Sequence, residues 1–241
     1  MHTAPTLPRA ESAAPSPRPQ RPQKRVVDAP TRMFHALFAL SFLGAYLTAD
    51  TERWRALHVS LGYTLAGLLL FRLFYGLFGP RHVRLGLLLR KLRGGPAWAQ
   101  GVVQQLRAGH IDRIGWTQGQ NLAMALAVLA LLLLALPLTF SGWATYAEWG
   151  TEWGGHLGSE LFEELHEFFG NAFLAVVLAH IGLVAALSLL RRRNQAWPMV
   201  TGQVPGAGPD LVKRNHAWLA VLLLLAVLAF NAWRWQLAAL G

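Results

Sequence analysis

The sequence predicts an all-α integral membrane protein, and three observations indicate that class. Of its 241 residues, 54% are hydrophobic and only 14% are charged, which is typical of a chain embedded in lipid. Apolar runs long enough to cross about 30 Å of hydrocarbon, which takes roughly 20 helical residues, occur five times along the sequence. The basic residues concentrate in three of the segments between these runs, as expected for the inner side of a membrane protein.

The predicted spans differ in how clearly the sequence marks them. The third and fifth contain no charge between Leu122 and Phe140 or between Ala217 and Trp233. The second carries Arg72 about two turns before its end, a depth from which the side chain can reach the interface or meet an anion. The first is the shortest. The five spans lie near residues 31–49, 56–79, 120–140, 161–190 and 215–237.

Three segments follow from this division. Residues 1–30 contain seven prolines and lack the apolar core of a signal peptide, which predicts a disordered, Pro/Arg-rich cytoplasmic arm. Residues 31–190 form the main helical domain, in which 80–119 is a cytoplasmic loop. Residues 191–241 comprise a basic linker and the fifth transmembrane helix.

The charges predict the orientation. Nineteen of the 22 Lys and Arg residues lie within 1–32, 72–113 and 191–214, which places the N-terminus in the cytoplasm and the C-terminus in the periplasm. The other three are Arg53, Arg55 and Arg234. The outer loop and helix start between residues 148 and 167 hold six glutamates and no basic residue, so this face is acidic. The high pI therefore reflects the basic residues of the cytoplasmic segments, and no nucleic-acid partner is expected.

Four of the nine histidines lie in predicted spans at two matching depths, and the other five lie in the tail, in loops or at a span edge. His166 and His180 are 14 residues apart. On an α-helix this separation gives a rise of about 21 Å and a rotation roughly 40° short of four full turns, so the two residues share one face. The alternating directions of the spans put His58 level with His166 on the outer side and His35 level with His180 on the inner side. Two stacked histidine pairs result.

These pairs indicate a cofactor. An imidazole without a partner in hydrocarbon is costly, so His180 is expected to have a functional ligand. Haem fits between transmembrane helices and accepts two axial histidines, which favours electron transfer over oxygen binding. Gly62 and Gly170 each follow a histidine of the outer pair by four residues, where the missing side chain would admit the edge of the macrocycle. Cysteine is absent, so any redox centre must depend on histidine.

Two alternatives use the same residues. Glu163 and His166 have the spacing of a di-iron carboxylate site, but a second Glu-x-x-His motif is missing, and these glutamates suit the positive end of a helix dipole. A proton or metal-ion transporter could use the intramembrane histidines as carriers. Against it, the third span, which includes Pro137, offers no acidic residue.

Three stretches in order resemble the bacterial cytochrome b-561 family, which includes the b-type cytochrome subunits of nickel-iron hydrogenases. They are "TRMFHALFALSFLGAYLT", "LHVSLGYTLAGLLLFRLFYGLFGPRHVR" and "ELHEFFGNAFLAVVLAHIG", and the likeness covers roughly residues 26–190. The resemblance implies a four-helix transmembrane bundle holding two b haems, here with a fifth C-terminal transmembrane helix. It places the ligands on His35, His58, His166 and His180. Where members often have a histidine before the third helix, this chain has Trp116.

The resemblance also implies a function in the bacterial inner membrane. Members carry electrons between the quinone pool and a redox partner, which here is expected to be a periplasmic c-type cytochrome or an oxidoreductase or hydrogenase subunit. Oxidation of superoxide with reduction of quinone is an alternative. Arg32 and Arg72, both at inner-side depth, are candidates for contacts with haem propionates through charge-assisted hydrogen bonds or for positive-inside anchors.

Overall fold

The computed structural model describes residues 22–240, except for the side chains of residues 152, 153 and 238–240. The described chain is mostly helical, as predicted, with one short two-stranded sheet that was not predicted. Short 3-10 turns occur at Glu52–Trp54, Arg81–Val83 and Ile111–Arg113. In chain order the elements are β1 (Gln23–Arg25), α1 (Ala29–Leu47), α2 (Arg55–Phe78), α3 (Leu85–Arg93), α4 (Gly95–Arg107), α5 (Trp116–Tyr146), α6 (Thr151–Leu190), α7 (Trp197–Thr201), β2 (Gln203–Pro205) and α8 (Ala217–Leu240).

Four helices in the described part of the chain are long and apolar enough to cross a membrane. They cover Glu52–Phe78, Trp116–Tyr146, Gly154–Leu190 and Ala217–Leu237, which correspond to the second to fifth predicted spans. The chain is therefore an integral membrane protein. The first predicted span coincides with α1, whose 19 residues include Arg32 and His35 and which is not among these four helices. A membrane crossing by α1 stays a prediction.

The helices pack in a bundle. Helix α1 packs against α2 and α8, α2 also packs against α5 and α8, and α5 packs along α6. Many large apolar side chains point outward, which suits a surface in contact with lipid. The buried centre of the bundle consists of Phe42, Leu65, Leu69, Ala135, Leu138 and Phe173, contributed by α1, α2, α5 and α6.

Helix α6 begins ten residues before the predicted span at 161. The early start includes a bend at Gly155, whose φ of 55° lies in the left-handed region that glycine tolerates. After the bend, α6 continues without interruption to Leu190. His166 and His180 therefore do lie on one continuous helix, as the spacing argument requires.

The prediction of a disordered arm over residues 1–30 is corrected for its last part. Residues 1–21 lie outside the described residues, whereas 22–30 form β1 and the start of α1. Strand β1 pairs antiparallel with β2, with Lys24 opposite Val204. Asp28 caps α1 by accepting a hydrogen bond from the backbone N of Thr31 at 3.1 Å. The segment is ordered because its backbone hydrogen bonds are satisfied by the linker that precedes α8.

The predicted loop 80–119 contains structure of its own. It includes α3 and α4, and the basic residues of α3 follow an apolar stretch, "LGLLLRKLR". Both helices contact α5. An amphipathic helix with basic residues at the end of a membrane bundle suits the interface between lipid and water.

Candidate functional site

Two histidines from different helices face each other inside the bundle. The ring centroids of His58 on α2 and His166 on α6 are 5.9 Å apart, and the ring planes are nearly perpendicular, at 87°. The Nδ1 atoms lie 2.8 Å from the carbonyl oxygen of Ala45 and 3.1 Å from that of Leu138, respectively. A carbonyl only accepts, so each Nδ1 carries the proton. Each Nε2 is thereby left with a free lone pair, the arrangement found in metal-ligating histidines.

A cavity of about 610 Å³ adjoins this pair. Its walls come from α1, α2, α5 and α6, and side chains such as Phe42, Leu65 and Leu138 make much of them apolar. Asp50, Glu163 and Glu167 also line it. A space of this size with a few converging polar groups is typical of a cofactor site.

The two predicted glycines line the same cavity. A methyl group added at Gly62 would meet no atom within 4 Å, and one at Gly170 would meet only Leu138 Cδ1, at 3.9 Å. The space beside both glycines is therefore open. This is the arrangement expected where a flat cofactor edge takes the place of a side chain.

Gly142 is a further residue of this site, which the sequence reasoning missed. A methyl group at Gly142 would lie 2.7 Å from Cε1 and 3.0 Å from Nδ1 of His166. The neighbouring Ser141 places its Oγ 3.4 Å from the same Nδ1. Helix α5 thus fixes the position of a histidine that belongs to α6. Nothing in the local sequence of α5 marks this contact.

The second pair consists of His35 on α1 and His180 on α6. They lie close enough for their charged forms to repel each other. His35 is exposed at the bundle surface, while His180 is half-buried. The Nδ1 atom of His180 is buried and has no hydrogen-bond partner among the described residues. An orphaned imidazole nitrogen at this depth is consistent with a site that binds an additional group.

An apolar layer separates the two pairs. Phe173 is seven residues from both His166 and His180 along α6 and is 2% exposed. Its ring centroid lies 4.6 Å from that of Phe42 and 6.2 Å from that of Phe38, both on α1. This layer connects α1 and α6 between the two histidine levels.

The two predicted arginines lie away from the His58–His166 cavity. Arg32 donates from Nη1 to the carbonyl of Val200 at 2.7 Å, and its Nε is buried without a partner among the described residues. Arg72 donates from Nη1 to the carbonyl of Val83 at 3.3 Å and interacts electrostatically with Asp28. Both therefore belong to the end of the bundle where α1 begins. Their contact with propionates stays a prediction.

A buried carboxylate organises that end of the bundle, and the sequence reasoning did not identify it. Asp28 is fully buried, and its Oδ2 accepts hydrogen bonds from Tyr75 Oη at 2.5 Å and His82 Nε2 at 2.9 Å. Burial by itself raises the pKa of Asp28, but hydrogen bonds from Thr31, Tyr75 and His82 outweigh it and hold the pKa below its ordinary value. The carboxylate is ionised at neutral pH.

The residues fit a cofactor held by two imidazoles better than a clustered metal site. Within the described part of the chain, no group of three or more His, Asp or Glu side chains comes together to hold a metal ion. Glu163 and His166 thus lack the further carboxylates that a di-iron centre needs. Paired histidines beside an apolar cavity satisfy the ligand needs of haem iron.

Membrane helices that bring histidines of different helices together around an apolar cavity define the class of membrane b-type cytochromes. The family model of prokaryotic cytochrome b561 matches residues 26–202, and the chain belongs to that family. The predicted family is thus confirmed, and with it a membrane b-type cytochrome that functions in electron transfer and binds b-type haem. No curated protein and no solved structure matches the chain. Helix α8 lies beyond the matched residues.

Proposed function

We propose that the protein is a membrane-bound diheme cytochrome b that carries electrons across the membrane between the quinone pool and a redox partner. The observation that supports this function best is the pairing of histidines at two levels of α6. His166 faces His58 at one level, and His180 interacts electrostatically with His35 two turns beyond the Phe173 layer.

In this proposal His58 and His166 ligate the outer haem, and His35 and His180 ligate the inner one. A bound haem supplies an iron that changes its charge by one electron. The carbonyls of Ala45 and Leu138 hold the outer imidazoles in the tautomer that presents Nε2. Gly62 and Gly170 leave room for the cofactor between the helices.

The chain separates the two sites and shields them from water. His166 and His180 are about 21 Å apart along α6, and the buried layer around Phe173 fills the bundle between them. We further propose that α1 crosses the membrane, which gives five spans with the N-terminus in the cytoplasm and the C-terminus in the periplasm of a bacterial inner membrane. Quinone exchanges at one end of this path.

The acidic residues at the outer end of the bundle indicate the charge of the partner that docks there. Asp50, Glu163 and Glu167 line the cavity of the outer pair, so a negative potential extends over roughly 8–10 Å at physiological salt. Such a field favours a basic partner such as a small c-type cytochrome. An oxidoreductase or hydrogenase subunit with a basic docking face would fit equally. These carboxylates repel an anionic donor such as superoxide, whereas Arg53 and Arg55 nearby attract it, so superoxide oxidation has less support than a basic partner.

Haem counting in ligand variants tests the proposal. The purified full chain is expected to contain two b haems by pyridine haemochrome assay and to be reduced by a quinol. His58→Ala removes the outer haem and His180→Ala the inner one, so each variant is expected to keep about one haem. The control His156→Ala changes a histidine with a 97% exposed side chain and keeps two. If the parent bound no haem, or if either ligand variant kept both, the proposal would be overturned.

A further inference from the structure

The three basic residues that lie outside the basic segments meet at one place in the structure. Arg53 and Arg55 at the start of α2 and Arg234 near the end of α8 line a common cavity of about 530 Å³. They are separated by up to 181 residues in the sequence. Their convergence is therefore a product of the fold, and it lies at the end of the bundle where the positive-inside rule predicts few cations.

Contacts between α8 and α2 hold Arg234 at the cavity. Asn231 donates from Nδ2 to Thr64 Oγ1 at 3.0 Å, and Arg234 Nε lies 3.5 Å from Ser60 Oγ. The guanidinium of Arg234 also lies over the Tyr63 ring, 5.6 Å from its centroid. Helix α8 lies beyond the residues that match the family model, whereas Arg53 and Arg55 lie within them.

The cavity carries an excess of positive charge. Glu52 is the one acidic residue among those that line it, and its Oε2 lies 3.9 Å from Arg55 Nη1, with both side chains largely exposed. Three arginines and one glutamate give a net charge of about +2. Helix α2 also starts here without a side-chain cap, so its positive dipole end adds to the field.

The remaining lining suits the border between headgroups and hydrocarbon. Ala56, Val59 and Leu237 are apolar, and Tyr146 contributes an aromatic side chain. Tyrosine at the end of a membrane helix is typical of the headgroup level, and arginine side chains can extend from a helix end to that level. An occupant can therefore place an anionic head among the guanidinium groups and an apolar part against α2 and α8.

We infer that this cavity binds a phosphate group, supplied either by the headgroup of an anionic phospholipid or by free phosphate. Planar guanidinium groups form paired charge-assisted hydrogen bonds with phosphate oxygens, and the net charge of the cavity matches an anionic ligand. The inference concerns lipid or anion binding and does not depend on the number of haems or on the redox partner.

The first experiment measures retained and rebound phosphatidylglycerol on the purified full-length protein by native mass spectrometry. The triple variant R53Q/R55Q/R234Q is expected to bind phosphatidylglycerol at least about tenfold more weakly than the parent, because three charged donors are lost. The matched control R107Q/R113Q/K213Q removes the same charge at exposed positions that do not line the cavity. It is expected to bind within about twofold of the parent.

A second variant separates loss of the site from loss of the fold. Ala56→Trp fills the cavity from an exposed helical position and leaves the three arginines in place. We expect the same loss of binding with an unchanged helical circular dichroism spectrum. Equal binding of phosphatidylglycerol by the parent and by Ala56→Trp would overturn a lipid in this cavity.

The source of the phosphate group is decided by a parallel measurement. Equilibrium dialysis with inorganic phosphate is expected to show binding to the parent and not to R53Q/R55Q/R234Q if the ligand is free phosphate. Binding of phosphatidylglycerol alone assigns a lipid headgroup. If neither probe distinguishes the parent from the triple variant, the inference is wrong, whatever the haem count of the preparations.

Discussion

At the residue scale, Gly142 shows how closely α5 approaches the outer histidine. We expect Gly142→Ala to displace His166, because the new methyl group would lie 2.7 Å from its Cε1 atom. The outer haem should be lost or its absorption band shifted, which optical spectra of the purified variant would show. The control is Gly67→Ala on α2, where a methyl group meets nothing within 4 Å. A normal outer haem in Gly142→Ala would show that the ring can move without losing its cofactor.

Asp28 is the residue on which the inner end of the bundle depends. Asp28→Ala removes the cap of α1 and leaves Tyr75 and His82 without their acceptor. We expect the free energy of unfolding to fall by roughly 2–4 kcal/mol. Denaturant unfolding in detergent would measure the change. The exposed Asp112 provides the control, and Asp112→Ala should cost less than about 0.5 kcal/mol. Equal stability of the two variants would contradict a structural role for the carboxylate.

The same carboxylate gives a pH dependence. Because the folded state lowers the pKa of Asp28 below its ordinary value of 3.8, the unfolded state binds the proton more readily. The stabilisation is therefore complete above about pH 5 and is lost as the pH falls below 4 through the folded-state pKa. Unfolding free energies measured from pH 7 to 3 should fall at the acid end in the parent and less steeply in Asp28→Asn. Parallel pH profiles would argue against this assignment.

At the scale of the element, α6 carries one histidine of each pair and the aromatic residue between them. Phe173→Ala leaves a cavity where α1 and α6 meet. We expect the free energy of unfolding to fall by roughly 3 kcal/mol. This value is at the lower end of the range for such a change, because the unfolded state of a membrane helix also lies in lipid. Thermal unfolding in detergent would report the loss. Leu178, which is 58% exposed on the same helix, is the control, and Leu178→Ala should be nearly neutral. Similar midpoints for both variants would show that the layer is not tightly packed.

At the scale of the whole molecule, the open question is which helices cross the membrane. Alkaline phosphatase fused after residue 241 is expected to be active, and the same reporter after residue 196 inactive, because basic segments stay in the cytoplasm. A tag at the N-terminus tests α1 separately, since it should be protected from protease added outside intact spheroplasts. If the protease digested the tag while both reporters behaved as expected, α1 would not cross the membrane. An active reporter after residue 196 would show that the orientation is the reverse of the predicted one.

Features that depend on neighbouring residues and on their periodicity could be predicted from the amino-acid sequence. Hydropathy marked α2, α5, α6 and α8 as membrane helices, and the helical repeat put His166 and His180 on one face at two levels. The quoted motifs predicted the family correctly. The ends of elements were less well predicted, because capping by Asp28 and the bend at Gly155 depend on local backbone geometry.

Contacts between residues far apart in the sequence could be identified only from the folded chain. Gly142 approaches His166, Asp28 joins Tyr75 and His82, and Arg234 reaches the start of α2. Strand β1 pairs with β2 across about 180 residues, which the proline-rich composition of the arm did not suggest. Composition and spacing describe how one segment behaves in water or lipid. Contacts between helices depend on rotation and approach of whole segments, which are set by packing of the complete bundle.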